Sequence, residues 1–377
     1  MCTKTDFAKL AQPGIQGLQP YQPGKPIEEL ERELGVTDTL KLASNENPLG
    51  ASSNALRAMQ EPFQSLHLYP DGGGFILKQK LADVLAIETE QITLGNGSND
   101  VLDLIARCFL GSDSNAIFSA HAFAVYPIVT QAVGASAKVA AAHPANHSSM
   151  PYGHDLEAML ALIDAQTRVI FIANPNNPTG TWLSGDELER FMLRVPENVI
   201  VVVDEAYFEY VEEVEYPNTL QWLEHYNNLI VTRTFSKIYG LAALRVGYCV
   251  CNPQIADLLN RVRQPFNVNS LALAAASAAL DDEEQLKMSM LVNSAGLQQW
   301  QQACDSYGWS YIPSVANFIC VDVGRDATAV YEALLQEAII VRPVGNYQLP
   351  RHLRITIGTE AQNSRCINAL HKVLSDD

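Results

Sequence analysis

The spacing of hydrophobic and polar positions indicates a long central part in which strands alternate with helices. Short apolar, β-branched runs occur at Ile92–Leu94, Ala116–Ser119, Val169–Ala173, Val199–Val203, Leu229–Thr232 and Val246–Val250. Amphipathic segments of helix length separate these runs, which is typical of buried parallel strands joined by crossover helices. We therefore predict an α/β fold with a large sheet domain over residues 51–265.

The segments on either side of this domain have different patterns. Residues 1–30 include GLQPYQPGKP, which is too rich in proline and glycine for a regular element, and we interpret them as an arm lying over a neighbouring subunit. After residue 265, an Ala-rich helix, a strand at Phe318–Val323, a helix at Ala327–Glu337 and the strand-like LRITIG predict a smaller α+β domain. We assign residues 31–50 and 266–377 to this domain.

The amino-acid composition of the chain limits the kinds of partner that we expect for it. Of the 377 residues, 47% are hydrophobic and 18% charged, a balance typical of globular proteins. The net charge of −17 leaves no broad positive face, so we expect no nucleic-acid partner. The chain shows no apolar segment of signal-peptide or membrane-spanning length, and we expect no membrane association.

The cysteines indicate the redox compartment. The sequence has seven of them, an odd number, and no C-x-x-C pair, so we expect reduced thiols and a cytoplasmic location. Cys249 and Cys251 lie in a strand-like run, and we expect them on opposite faces of that strand. No metal-binding motif is present, and we expect no metal site.

Unusual polar residues follow four of the predicted strands. They are found in Gly95–Ser98, Asn174–Gly180, Asp204–Tyr207 and Thr234–Lys237. Ligands of open α/β sheets bind beyond the carboxyl ends of the strands. We therefore expect these four segments to form one composite site.

The segment Gly95–Asp100 is a candidate phosphate-binding loop. A glycine turn that opens a helix presents free backbone N–H groups and the positive end of the helix dipole. A dinucleotide fold would require a third glycine, whereas this position holds Asp100, and the next strand ends at Ser119-Ala120-His121 without an acidic residue. A single phosphate fits better than a dinucleotide, and a plain glycine turn is the remaining alternative.

Asp204 and Lys237 are the candidate catalytic residues. Asp204 ends the apolar run VIVVVD, where an ionised carboxylate needs a cation, and a protonated ring nitrogen, a salt bridge or a helix cap would each satisfy it. Tyr207 is close enough in sequence to reach the same pocket. Burial and nearby cations would give Lys237 the neutral amine needed for a Schiff base, although a lone lysine is more often solvated. Arg245 could bind a phosphate bidentately.

Asn177 lies in the turn NPNNPTG, which needs no function as a turn but could aim an amide at the same cleft. Together, Asn-Pro-Thr-Gly at 177–180, Asp204-x-x-Tyr207, Ser236-Lys237 and Arg245 resemble the motifs of fold-type I aminotransferases in order and spacing. Within that superfamily the chain is most similar to the histidinol-phosphate aminotransferases, through PYQPGKP, KLASNENPLG, YPDG, HAFAVYPI, TFSKIYGLAALRVGY and LRITIG. The similarity covers nearly the whole chain.

This resemblance implies a large domain with a mostly parallel seven-stranded sheet, a smaller α+β domain and pyridoxal 5'-phosphate as cofactor. Lys237 would carry the cofactor as a Schiff base, Asp204 would pair with its ring nitrogen, and Asn177 and Tyr207 would bind its phenolic oxygen. Phe123 would stack on the ring. The phosphate would be held by Ser98, Asn99, Thr234, Ser236, Arg245 and, from the partner subunit of a homodimer, Tyr69. Relatives commonly have Asp-Glu at the positions of Asn99-Asp100, so only side-chain roles are in question there.

The resemblance also implies the substrates. Arg354, with Asn177, would bind the α-carboxylate of glutamate or 2-oxoglutarate, and Arg342 and Tyr21 of the partner's arm would contact the phosphate of histidinol phosphate. A surface arginine is the alternative for Arg342. The implied reaction is transamination of histidinol phosphate with 2-oxoglutarate or glutamate in histidine biosynthesis. The alternatives are an aromatic amino-acid aminotransferase, a decarboxylase of the threonine-phosphate kind and a non-enzymatic sensor domain.

Overall fold

The computed structural model describes residues 5–375, so Cys2, the start of the predicted arm and the last two residues lie outside the described part. The strands are β1 (Leu40–Lys41), β2 (Ile92–Gly95), β3 (Asn115–Ser119), β4 (Ser136–Ala140), β5 (Thr167–Ala173), β6 (Ile200–Asp204), β7 (Leu229–Thr234), β8 (Gly247–Cys251), β9 (Ser310–Ile312), β10 (Phe318–Asp322), β11 (Ile339–Ile340), β12 (Arg342–Pro343) and β13 (His352–Thr356).

The helices enclose and connect these strands. They are α1 (Pro13–Gln16), α2 (Ile27–Leu34), α3 (Ser53–Ala58), α4 (Gln60–Phe63), α5 (Phe75–Leu85), α6 (Ser98–Phe109), α7 (Val125–Ala132), α8 (Leu156–Ala161), α9 (Gly185–Met192), α10 (Pro253–Val262), α11 (Ser270–Ala279), α12 (Glu283–Tyr307), α13 (Ala327–Gln336) and α14 (Glu360–Ser375). Between residues 5 and 375, no helix combines the length and the apolar character that crossing a bilayer requires.

A seven-stranded sheet forms the centre of the large domain, in the order β2-β8-β7-β6-β5-β3-β4. Six strands run in one direction, and β8 is antiparallel to both of its neighbours. Helices cover both faces, which is why β5, β6 and β7 are almost wholly buried and carry continuous apolar runs. The predicted α/β class with a mostly parallel seven-stranded sheet is confirmed.

The small domain contains a four-stranded antiparallel sheet in the order β12-β13-β10-β9. Its register places Arg342 opposite Arg354, and Arg354 opposite Cys320 on the next strand. Directly opposed residues share a face of an antiparallel sheet. The two arginines therefore project from the same face. A separate pair, β1 and β11, joins the segment before residue 50 to the small domain.

We predicted that the large domain ends at residue 265, and the packing of the next helix favours a later boundary. Helix α11 begins five residues after the predicted boundary, yet Ala272, Ala275 and Ala276 belong to the same buried cluster as the core of the large sheet. We therefore propose that the large domain continues to about residue 280. The arm also contains short helical turns at Phe7–Leu10 and Pro13–Gln16, where we expected no regular element.

The six described cysteines are unpaired thiols. Cys249 and Cys251 are both fully buried and pack in the same hydrophobic cluster. Our expectation that they lie on opposite faces is wrong, because residues two positions apart on a strand point to the same face. Both thiols therefore contribute to one side of the sheet.

A buried ion pair lies directly behind the carboxyl end of β6. Arg233 donates from Nε and Nη2 to Glu205 Oε2, at 2.9 and 2.7 Å, and the hydroxyl of Thr219 donates to Oε1 of the same carboxylate. The guanidinium also lies 3.6 Å from the centre of the Phe208 ring. Both charged side chains are at most 5% exposed. Removing one partner would leave the other charge buried and uncompensated.

We expect Arg233→Met to lower the free energy of unfolding by about 3–5 kcal/mol, because Glu205 would lose its counter-charge. Chemical denaturation followed by circular dichroism measures this change. The matched control is Arg261→Met, which breaks an exposed ion pair with Asp257 and should cost at most about 0.5 kcal/mol. Similar losses of unfolding free energy in the two variants would show that the buried ion pair stabilises the protein no more than the exposed pair does.

Candidate active site

One cavity lies at the carboxyl edge of the large sheet, where it meets the small domain. Thirteen of the fourteen residues predicted from the sequence line it, namely Tyr21, Ser98, Asn99, Phe123, Asn177, Asp204, Tyr207, Thr234, Ser236, Lys237, Arg245, Arg342 and Arg354. Parallel strands bring Asp204 and Thr234 to the same edge. Because β8 runs the opposite way, its amino end lies at that edge too and positions Arg245.

The loop between β2 and α6 forms one end of the cavity. Gly97 precedes the helix with φ +84°, and the helix begins at Ser98. Such a helix start presents unpaired backbone N–H groups and the positive dipole end. The hydroxyls of Thr234 and Ser236, both buried, face the same region of the cavity. This set of donors suits a phosphate group.

Arg245 completes this end of the cavity. Its Nη1 donates to Ser236 Oγ at 3.3 Å and to the carbonyl of Ala242 at 2.9 Å. A Cβ atom at Gly97 would lie 2.4 Å from Arg245 Nη2, and the φ of +84° at this position also favours glycine. Arg245 itself has φ +57°, a conformation that non-glycine residues adopt rarely and that is concentrated at functional sites.

Asn99-Asp100 stands where relatives commonly have Asp-Glu, and the structure shows the role of Asp100. Asp100 Oδ2 accepts hydrogen bonds from the backbone N–H of Asn96 and from the amide of Asn267, both at 2.8 Å. The carboxylate therefore braces the loop from outside. The backbone N–H groups at the start of α6 keep their place in the cavity wall.

Asp204 is a buried carboxylate with neutral hydrogen-bond donors. Tyr126 donates to Oδ2 at 2.9 Å and Thr232 donates to Oδ1 at 3.0 Å. Burial raises the pKa of Asp204, while the hydrogen bonds from Tyr126 and Thr232 lower it. Glu205, next in sequence, is already paired with Arg233. Asp204 thus remains available for a cation in the cavity.

Lys237 is the lysine among the described residues that line the cavity. Its Nζ donates to the carbonyl of Ser44 at 3.1 Å and lies 5.7 Å from the centre of the Tyr207 ring. Burial lowers the pKa of Lys237 to about 7, and the positive charges of Arg354 and Arg245 contribute to this shift. A substantial fraction of the side chain is therefore a neutral amine near neutral pH, as nucleophilic attack requires.

Arg354, on strand β13 of the small domain, also lines the cavity. It donates from Nη1 to Asn177 Oδ1 at 2.6 Å and from Nη2 to the carbonyl of Ala43 at 2.7 Å. Its buried Nε has no hydrogen-bond partner among the described residues. Between residues 5 and 375 we find no carboxylate within 4 Å of the Arg354 or Arg342 guanidinium groups. A cavity wall with two such cations suits an anionic ligand.

Arg342 and Tyr21 lie side by side at the mouth of the cavity. Arg342 Nη2 donates to the carbonyl of Gln22 at 2.6 Å, and its guanidinium lies 6.0 Å from the centre of the Tyr21 ring. We expected Tyr21 to come from the partner's arm, whereas here it is the chain's own Tyr21 that lines the cavity. The segment around Gln22 is held there by Arg342.

Tyr69 is the predicted residue that the structure does not bring to this cavity. Its side chain is 82% exposed and stacks on Phe266 with ring centres 4.7 Å apart. Neither residue lines the cavity of the same chain.

Sequence reasoning missed several polar residues of the site, among them Tyr126 and Asn45. Tyr126 lies three positions after Phe123, a helical spacing that could have placed both near the cavity. Asn45 donates from its amide to the Tyr207 hydroxyl at 2.9 Å. It belongs to KLASNENPLG, a stretch we used for its resemblance without giving any of its residues a role.

The arrangement fits pyridoxal phosphate. A phosphate would lie at the start of α6 beside Arg245, whose guanidinium approaches Gly97 so closely that a Cβ there would clash with it. Lys237 offers a neutral amine for an aldehyde, and Asp204 offers a carboxylate for a protonated ring nitrogen. These three groups share one cavity, which is what the cofactor requires.

Comparisons with known proteins agree with this geometry. The family model described as aminotransferase class I and II matches residues 37–370. Histidinol-phosphate aminotransferase 2 of Pseudomonas fluorescens is 59% identical over 372 residues, covering 98% of this chain and 99% of the relative. The enzyme of the same name from Methylococcus capsulatus is 56% identical over 97% of this chain and 98% of its own length.

A solved structure resembles the whole chain. The histidinol-phosphate aminotransferase of Sinorhizobium meliloti, crystallised in complex with pyridoxal-5'-phosphate, has a TM-score of 0.87, with 29% sequence identity and 97% of each chain covered. An aspartate aminotransferase from Thermotoga maritima shares the fold, with a TM-score of 0.84 at 18% identity. The chain therefore belongs to the class I and II aminotransferases and, within them, to the histidinol-phosphate aminotransferase family.

Proposed function

We propose that this protein catalyses the pyridoxal-phosphate-dependent transamination of histidinol phosphate with 2-oxoglutarate or glutamate. The observation that carries the proposal is the cavity in which Lys237, with a pKa of about 7, lies together with Asp204 and two arginines. Full-length relatives named histidinol-phosphate aminotransferase, at 56–59% identity, support the choice of substrate.

Different residues of the cavity have different roles in the proposed reaction. When bound, pyridoxal phosphate supplies an aldehyde for covalent attachment of amines and a ring that accepts the electrons of a breaking Cα–H bond. Lys237 would anchor the cofactor, and its amine would move the proton from the substrate Cα. Asp204 would hold a proton on the ring nitrogen, which would make the ring a better electron acceptor. Arg245 and the start of α6 would bind the phosphate and fix the orientation of the ring.

The two arginines of the small domain support a substrate with a phosphate or carboxylate group. Arg342 and Arg354 are directly opposite each other on β12 and β13, and like charges in this position destabilise a sheet. An anion between them would relieve this repulsion. Arg354, buried and held by Asn177, is placed for the α-carboxylate of glutamate or for a phosphate, while Arg342 and Tyr21 at the cavity mouth would add contacts to the phosphate.

An aromatic amino-acid aminotransferase and a decarboxylase of the threonine-phosphate kind would use the same cofactor site. A threonine-phosphate decarboxylase from Porphyromonas gingivalis shares the fold, with a TM-score of 0.74 at 22% identity. Assays of glutamate-dependent amination with imidazole acetol phosphate and with phenylpyruvate, together with a measurement of released carbon dioxide, separate the three activities. The proposal requires the phosphorylated substrate to be preferred and no carbon dioxide to be released.

A homodimer with shared active sites is part of the proposal. Several large apolar side chains between residues 63 and 76 are exposed, among them Phe63, Leu66, Leu68 and Tyr69. An apolar patch of this kind marks an interaction surface. We propose that a second copy covers it and that Tyr69 reaches the partner's cofactor phosphate. The unpaired state of the six described cysteines is in keeping with the cytoplasmic location that we propose.

The attachment site is testable by the reaction of the apoprotein with pyridoxal phosphate. The initial rate of formation of the yellow adduct should rise with pH and reach half its maximum near pH 7, because the lowered pKa leaves Lys237 neutral above that pH. Borohydride reduction followed by peptide mapping should place the label on Lys237. Lys78→Ala is a matched control, since burial lowers the pKa of Lys78 as well but it does not line the cavity. Labelling of any other lysine would end the proposal.

Tyr126→Phe tests how the charge of Asp204 is maintained. Loss of this donor removes one of the hydrogen bonds that lower the pKa of Asp204, so its carboxylate should become protonated at higher pH. The acid limb of the kcat/KM profile should then move upward by about one pH unit, with little change above pH 8. Tyr226→Phe, before the opposite end of β7, should leave the profile unchanged. A uniform loss of activity at all pH values would contradict this role.

Arg342→Ala tests whether Arg342 and Arg354 have different roles in binding the two substrates. Loss of a charge-assisted contact worth about 1.5–3 kcal/mol should raise the KM for histidinol phosphate roughly tenfold to a hundredfold while sparing glutamate. Arg354→Ala should impair both substrates. Tyr21→Phe, which keeps the ring beside Arg342, reports the hydroxyl contribution alone. Equal effects of Arg342→Ala on the two substrates would refute this assignment.

A further inference from the structure

Asn45 occupies an unusual position in the wall of the active site. Its backbone has φ +57°, in the left-handed region that asparagine tolerates better than most residues. Its backbone N–H donates to the Thr356 hydroxyl at 2.9 Å, and its carbonyl accepts from the amide of Asn317 at 2.9 Å. The side chain, which is 1% exposed, is therefore held on a rigid backbone.

The orientation of the Asn45 amide is determined by its two neighbours. The Thr356 hydroxyl donates to Oδ1 at 3.4 Å, and Nδ2 donates to the Tyr207 hydroxyl at 2.9 Å. An amide nitrogen can only donate. The Tyr207 oxygen must therefore act as an acceptor in this hydrogen bond.

A phenol has a single hydrogen to donate. Between residues 5 and 375, Asn45 is the one recorded hydrogen-bond partner of the Tyr207 hydroxyl. Since Asn45 cannot accept that hydrogen, the hydroxyl is free to direct it elsewhere, and Tyr207 lines the cavity. The Tyr207 hydroxyl can therefore donate its hydrogen to a ligand in the cavity.

We propose that Asn45 is a positioning residue, which fixes the polarity of the Tyr207 hydroxyl so that its hydrogen points at the phenolic oxygen of the bound cofactor. This inference rests on the proposed function, in which Tyr207 binds that oxygen. A hydrogen bond to an anionic phenolic oxygen withdraws negative charge from it. The oxygen then holds the proton on the adjacent Lys237 nitrogen less tightly, and the pKa of that nitrogen falls.

The variants are chosen to keep the left-handed backbone. Asn45→Gly removes the amide without strain, because glycine adopts positive φ freely. Asn45→Asp keeps the shape of the side chain, but its carboxylate accepts the Tyr207 hydrogen and so reverses the hydrogen bond. Each change is also made in a Tyr207→Phe background. Asn47→Gly is the matched control, because Asn47 is also buried in the same segment but donates to the carbonyl of Ile238 and to Ser289.

The measurement is the pH midpoint of the visible absorbance band of the cofactor bound to Lys237. Asn45→Gly should raise the midpoint by about one pH unit, a tenfold change in the protonation equilibrium. Asn45→Asp should raise it further, because the added charge also favours the protonated nitrogen. In the Tyr207→Phe background Asn45→Gly should have no effect, and Asn47→Gly should leave the midpoint in place.

Two outcomes overturn the inference. One is an unchanged midpoint in Asn45→Gly, and the other is the same shift with and without the Tyr207 hydroxyl, which would mean that Asn45 acts by another route. Both can occur while Lys237 still becomes labelled, so they are distinct from a failure of the proposed function. Thermal unfolding of each variant separates a local effect from loss of the fold.

Discussion

The structure depends on a requirement that every charge buried at the carboxyl edge of the large sheet have a partner. An unpaired ion in this environment would cost several kcal/mol or change its protonation state. Glu205 meets the requirement through Arg233, entirely within the protein. Its neighbour Asp204 accepts hydrogen bonds from neutral donors, among them Tyr126 and Thr232, and Lys237 donates to a carbonyl oxygen. The charges left without an ionic partner are therefore the ones that face the cavity.

The same requirement explains why the site lies between two sheets. The large sheet brings Asp204 and Lys237 to its carboxyl edge, while β12 and β13 of the small sheet supply the two opposed arginines. The two arginines lie directly opposite each other on neighbouring strands, a position in which like charges are unfavourable. The antiparallel strand β8 adds Arg245 at the other end of the cavity. Three arginines and an amine thus line one cavity, which suits a ligand with anionic groups.

Much of this could be read from the sequence because the relevant signals are local. Val169–Ala173 and Leu229–Thr232 are continuous apolar runs, and the structure extends each by only two residues. Strand β4 escaped prediction because it is an edge strand with mostly exposed residues and no apolar run. Helix α11, which we assigned to the small domain, packs against the core of the large sheet, and an alanine-rich pattern does not reveal which core a helix will join.

The residues that escaped prediction in the site have partners far away in the chain. Asn45 and Tyr207 are 162 positions apart, and nothing in the local pattern of either one indicates the other. Tyr126 is a buried aromatic residue on α7, and a sequence does not distinguish a phenol that fills a core from one that donates to a carboxylate. Such contacts arise from the packing of domains, which local periodicity does not encode.

The segment Ala43–Asn45 connects these separate groups. Its first carbonyl accepts a hydrogen bond from Arg354, its second from Lys237, and the side chain of its third residue donates to Tyr207. Three consecutive residues thus contact the anion-binding arginine, the reactive amine and the phenol. One short piece of backbone therefore sets the spacing between the anion-binding arginine, the reactive amine and the phenol.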